Sequence, residues 1–129
     1  MCPNHIRPVL FAVLLMAAVS VSPAALAIDG LYHVEGHGPG STDIYKGDAQ
    51  IKKTGDTYSI VWRVGQTRHM GTGILTNNVL SVFFQPLERG AGAGLASFRV
   101  VDDKITDGTW TVLGSTSVGI ERWTPDRGD

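Results

Sequence analysis

Between Asp29 and Pro125, short runs of alternating apolar and polar residues are separated by clusters of Gly, Asn and Asp. Alternation with a period of two marks a strand with one dry and one wet face, and turn residues between such runs mark hairpins. The breaks fall at Gly38-Pro39-Gly40-Ser41, Thr54-Gly55-Asp56, Gly65-Gln66, Asn77-Asn78, Gly90-Ala91-Gly92-Ala93-Gly94, Asp102-Asp103-Lys104 and Gly114-Ser115, dividing the chain into eight strand candidates. Connections this short make successive strands antiparallel, and eight strands are enough to close. The predicted fold is an all-β, eight-stranded antiparallel up-and-down meander barrel, with a two-sheet β-sandwich as the alternative.

The same period assigns the faces. Tyr58, Ile60, Trp62 and Val64 share one side of the third strand, and Thr57, Ser59 and Arg63 the other. The second strand groups Tyr45, Gly47, Ala49 and Ile51; the first, Tyr32 and Val34 against His33 and Glu35. Leu80, Val82 and Phe84 are expected inward on the fifth strand, Ala96, Phe98 and Val100 on the sixth, and Trp110 and Val112 on the seventh. Trp62 and Trp110 are expected to be buried in one core. Glycines inside the runs, at 47, 71, 73, 108 and 119, weaken a flat sheet but suit a small barrel. There the strands coil sharply, and a missing side chain makes room for a large neighbour such as Tyr45, Trp62 or Trp110.

The first 27 residues follow a different logic. A weakly basic start precedes an apolar run from Val9 to Val21, and Ala25-Leu26-Ala27 places small residues where a signal peptidase reads. This predicts a secretory signal peptide over 1–27 and a single barrel domain over 28–129. A run of about 13 apolar residues is short of the roughly 20 that span a bilayer, so no membrane span is expected in the mature chain. Export to the periplasm or the medium follows. Cleavage would remove Cys2, the only cysteine, so the mature fold is expected to hold without a disulfide. The net charge is −1 and no basic run exceeds Lys52-Lys53, which argues against a nucleic-acid partner.

Three groups of residues carry candidate chemistry. His33, Glu35 and His37 point the same way on a strand, but neighbours roughly 6.6 Å apart cannot all reach one ion at about 2 Å while the strand stays straight. They read as a solvated outer face, and His69 as surface or satisfied core. The 90–94 glycine loop runs into a strand where a phosphate cradle needs a helix N-terminus, so it reads as a rim loop. In Gly119-Ile120-Glu121-Arg122-Trp123, an inward Trp123 takes Glu121 inward with it. A carboxylate there needs a partner, with Arg63, Arg68 or Arg99 as candidates, or it takes up a proton. An ion pair closing the last strand onto the first is one reading, and a polar anchor in a ligand pocket the other.

The run from Ile28 to Gly36, Tyr45-Lys46-Gly47 followed by Gly55-Asp56-Thr57-Tyr58, Gly71-Thr72-Gly73-Ile74-Leu75, and Gly108-Thr109-Trp110 with Gly119-Ile120-Glu121 resemble small exported proteins of alphaproteobacteria. Many of these carry the label fibronectin-binding protein. The strand cadence, with Gly-Thr-Trp in a late strand, is also similar to avidin and lipocalin meander barrels. The first resemblance implies an exported, non-catalytic binding protein with an extracellular or envelope protein as partner. The second implies a small apolar or aromatic ligand in a cavity formed by Tyr32, Tyr45, Tyr58, Trp62, Phe84, Phe98, Trp110 and Glu121. Neither supplies catalytic residues, a metal or a cofactor. No serine sits in a Gly-x-Ser-x-Gly elbow, so an enzyme is not expected.

Overall fold

A computed structural model of the chain describes residues 3, 28–88 and 92–128. The predicted leader therefore lies outside the described residues except for Pro3, as does part of the 90–94 loop. Eight strands run in order: β1 (Gly30–His37), β2 (Ile44–Thr54), β3 (Thr57–Val64), β4 (Thr67–Thr76), β5 (Val79–Pro86), β6 (Gly94–Val101), β7 (Lys104–Val112) and β8 (Gly119–Pro125). Each pairs antiparallel with its sequence neighbours, and β8 returns to β1 to close the barrel. The meander is thus the fold, and the sandwich alternative is excluded.

Closure gives the barrel two unlike ends. At one, Gly55-Asp56, Asn77-Asn78 and Asp102-Asp103 join the strands tightly. Asn77, Asn78, Asp102 and Asp103 all have positive φ, between 50° and 62°. A pair of left-handed residues makes the type I′ turn, whose twist matches that of the flanking strands. At the other end, the connections 38–43, 87–93 and 113–118 are longer, and only Gly65-Gln66 is tight. The tight end is also the plugged end. Tyr32 donates its hydroxyl to the Ile28 carbonyl at 2.9 Å, Asp29 accepts the Lys53 amide at 3.0 Å, and Ile28 is buried.

The inward faces follow the period of two on β1, β2, β3, β5 and β6 as expected, with Ala49, Ile51, Ile60, Leu80, Val82, Phe98 and Val100 in one core cluster. On β7 the parity changes. Arg99 pairs with Asp107 and Val100 with Ile105, leaving Thr106 as the extra residue of a bulge. Ile105 points inward before it, and Trp110 after it. Such a bulge bends the strand and sharpens its twist. Trp62 is buried, but Trp110 is only half-buried, because the longer loops leave its end of the barrel open.

Large and small side chains alternate laterally across the interior. Ala49 is opposite Trp62, Gly71 and Gly94 flank Phe84, and Ala96 and Gly119 flank Trp110. A Cβ on Gly108 would overlap the Phe98 ring and the Ser97 carbonyl, whereas one on Gly73 would first meet side-chain methyls, Leu80 Cδ1 at 3.0 Å and Val82 Cγ2 at 3.2 Å. Gly108→Ala is therefore expected to destabilise the barrel by about 1–3 kcal/mol, as overpacking does. Gly73→Ala should cost distinctly less. Equilibrium urea denaturation of the two variants measures the contrast, and equal costs would count against the packing account.

Candidate functional site

The interior is not filled at the long-loop end. A cavity of about 220 Å³ opens there, lined by Tyr45, Trp62, Val64, Thr67, His69, Phe84, Ala96, Phe98, Trp110 and Glu121. Six of the eight residues expected in a pocket are therefore brought together. The other two lie elsewhere: Tyr32 packs its ring on Trp123 at 5.1 Å, and Tyr58 is buried beneath the Lys53 ammonium, 5.2 Å from its ring centre. Both belong to the core and not to the cavity lining.

Glu121 is the only buried charged or polar residue of the described core, 6% exposed. It points inward from β8 together with Trp123. Its lateral neighbours are Gly36 on β1 and Gly108 on β7, and beyond these stand Tyr45 and Phe98. A Cβ on Gly36 would come within 2.8 Å of the Tyr45 hydroxyl, so the glycine is what lets the phenol reach across to the carboxylate. Three donors meet there. The Tyr45 hydroxyl donates to Oε2 at 2.5 Å, while the Trp62 and Trp123 indole N–H groups donate to Oε1 at 3.0 and 2.6 Å.

None of these partners is charged, so the expected ion pair is not formed. Arg68 pairs with Glu88 at 3.4 Å and Arg99 with Asp107 at 2.7 Å, both outside the barrel, and Arg63 is exposed. The cause is the period of two: all three arginines occupy outward positions on their strands. Burial raises the Glu121 carboxyl above its ordinary range, and the three hydrogen bonds oppose that shift without cancelling it. The Tyr45 phenol is pushed up as well, by burial first and then by the adjacent Glu121 charge. The Trp110 indole N–H is buried without a hydrogen-bond partner.

The rings around this carboxylate stand nearly edge-on to one another. Trp62 and Phe84 lie 6.1 Å apart at 62°, Phe84 and Trp110 5.9 Å at 74°, and Tyr45 and Trp110 6.3 Å at 64°. His69 adds a further wall, edge-on to Phe84 at 5.9 Å, and burial lowers its pKa so that it stays neutral near pH 7. Its place in the lining corrects the surface-or-core reading. The signal was available, because His69 pairs with Trp62 and shares its face. Val64 and Ala96 were placed inward by the period of two, but only the structure puts them and Thr67 at the cavity.

His33, Glu35 and His37 do lie along β1 at the expected spacing, with His33 and Glu35 exposed on the outer face. His33 Nδ1 is 2.9 Å from Asp48, and its Nε2 is 3.6 Å from Asp126. The outer face of β4 to β8 is different in character. Register sets Thr72, Phe83, Leu95 and Thr111 side by side, and next to them Ile74, Ser81, Ser97, Thr109 and Ile120. No position in this patch is charged, and Ile74, Phe83 and Leu95 are 60%, 46% and 62% exposed.

A scan of protein-family models finds no match to the chain, and a search of curated proteins finds no significant relative.

The raised carboxyl has a measurable consequence. The folded chain binds the Glu121 proton more tightly than the unfolded chain does, whose ordinary value is 4.5. Glu121 therefore favours folding most at low pH, and this contribution is lost as pH rises from that value through the raised native one. Denaturation of wild type and Glu121→Gln across this range should show the stability difference moving against wild type as pH rises. Tyr45 and His69, the other titratable groups at the cavity, titrate in both proteins. A difference independent of pH would mean that the carboxyl is not shifted.

Proposed function

We propose that this protein is an exported, non-catalytic binding protein whose ligand site is the aromatic cavity at the long-loop end of the barrel. The observation that carries this reading is the cavity itself: about 220 Å³ of unfilled, aromatic-walled space around one buried carboxylate, at the end where the loops are long. Concave apolar sites with a few polar groups are the usual form of small-molecule pockets, and loops on a rigid scaffold usually frame them. The volume is below the roughly 300 Å³ at which drug-sized pockets begin. It equals about seven waters at their share of the liquid, so the ligand is small, or inserts only its end. The leader-like sequence over 1–27 supports export, and the likeness to avidin and lipocalin barrels supports a cavity ligand.

The test is native mass spectrometry of the purified protein, followed by thermal-shift screening with small aromatic, apolar and charged compounds. At least one compound should bind wild type. Ala96→Leu, which fills the cavity from β6, should weaken that compound about tenfold or more while the circular dichroism of the barrel is kept. A wild-type protein that responds to no compound would overturn the reading.

A second reading rests on the uncharged outer patch around Phe83 and Leu95. Contiguous apolar surface of this kind marks protein contact sites, and the partner would be an extracellular or envelope protein, fibronectin being the one the resemblance names. Phe83→Lys together with Leu95→Lys should then abolish binding to immobilised fibronectin without changing the fold. Binding that survives the double variant, or is absent in wild type, sinks this reading.

A further inference from the structure

When ionised, the Glu121 carboxyl brings to the cavity a charge that its own hydrogen bonds do not require. The indoles of Trp62 and Trp123 donate to Oε1 alone, and Tyr45 meets only Oε2. A glutamine could serve the same network: its carbonyl oxygen would accept both indoles, and its amide would donate to the Tyr45 oxygen, since a phenol accepts as readily as it donates. The charge is thus surplus to the packing. It is also costly, because an ionised carboxylate out of water is stabilised only by these neutral donors.

The surroundings of that charge have one electrostatic sign. No lysine or arginine lines the cavity, and His69 is held neutral by burial. The rings of Trp62, Phe84 and Trp110 meet at 62° and 74°, and all three line the cavity. Aromatic faces are the negative parts of their rings. A carboxylate and several such faces around an apolar space attract cations and repel anions, and they do so more strongly than in water. A hard metal ion is a poor fit, since it needs several oxygen ligands and this site offers one carboxylate already engaged by three donors.

We propose that the ligand of this cavity is a small organic ammonium ion, seated with its charge between Glu121 and the faces of Trp62, Phe84 and Trp110. This rests on the small-ligand reading above and names its chemical class. One acceptor direction of Oε2 remains beyond the Tyr45 bond, which suits a primary ammonium N–H; the aromatic walls suit an alkylated one.

Isothermal titration calorimetry on the purified protein decides between the classes. Choline is compared with dimethylbutanol, its uncharged carbon isostere, and benzylammonium with benzyl alcohol. At least one cation should bind about tenfold or more tightly than its uncharged counterpart. The arm that responds tells alkylated from primary ammonium. Glu121→Gln should reduce the preference to within about threefold, and Trp110→Leu, at a half-buried position, should reduce it independently. If an uncharged counterpart binds as tightly as its cation, the ammonium assignment fails and the small-ligand reading stands. If none of the four binds while another screened compound does, the result is the same. Silence across both this set and the broader screen overturns the two together.

Discussion

The interior of an eight-stranded barrel is barely wide enough for its own side chains, and that limit governs everything else in this molecule. Two large residues side by side on neighbouring strands would compete for the same space. The chain answers by placing a glycine or alanine beside most of its large rings: Ala49 beside Trp62, Gly71 beside Phe84, Gly108 beside Phe98, Gly119 beside Trp110. Glycine lowers strand stability locally, but here it permits closure, and closure removes the two exposed edges that an open sheet would present. The same rule places the carboxylate. Gly36 and Gly108 flank Glu121 on both sides, so the phenol of Tyr45 can extend over one glycine while Phe98 fills the space over the other.

From this packing follows an unusual division of polarity. The described salt bridges, among them Lys46 with Glu35, Arg68 with Glu88 and Arg99 with Asp107, join exposed or half-exposed side chains and contribute little individually. The one buried carboxyl is instead held by neutral N–H and O–H groups. Hydrogen bonds to an ionised acceptor are stronger than neutral ones, and three of them on one carboxylate recover part of its lost hydration. They do not recover all of it, which is why the carboxyl remains raised. A partner cation within the protein would have neutralised the cavity. The lining holds no lysine or arginine, so the carboxyl has no cationic partner there.

The architecture was legible because period and punctuation agreed along nearly the whole chain. Asn77-Asn78 and Asp102-Asp103 are residues that tolerate positive φ, set between alternating runs, and the structure uses them for that purpose. On β3, where Tyr58, Ile60 and Trp62 face Ser59 and Arg63, the inward side could be read directly. On β4 it could not, because the apolar residues Met70 and Ile74 point outward, and His69, Gly71 and Gly73 point in. Gly71 beside Phe84 and Gly73 beside Tyr58 leave room for those rings, and His69 sits opposite Trp62, so the inward face of β4 carries almost no hydrophobic alternation. His69 was missed for this reason. Ile105 was hidden by the Thr106 bulge, which shifts the parity of β7 by one residue without any glycine to announce it. The partners of Glu121 were beyond reach because they depend on which side chains cross the barrel axis, a property of the closed structure and not of any one strand.

The two ends of the barrel separate a packed core from an open cavity. At the plugged end, Ile28, Tyr32, Ile51, Leu80, Val100 and Ile105 pack under tight turns, and the first residues of the described chain are tied down by Tyr32 and Lys53. With no disulfide among the described residues, cooperative stability has to come from this packing and from the closed ladder of strands. The cavity lies at the opposite end of the barrel. Glu121 is the exception to this separation: its hydrogen bonds reach Tyr45 and Trp62 at the cavity and Trp123, whose ring packs at a tilt against Phe98 and against Tyr32 in the core. On the ammonium proposal, a cation that pairs with Glu121 would be felt through the Trp123 indole in the core, coupling occupancy of the site to the stability of the barrel.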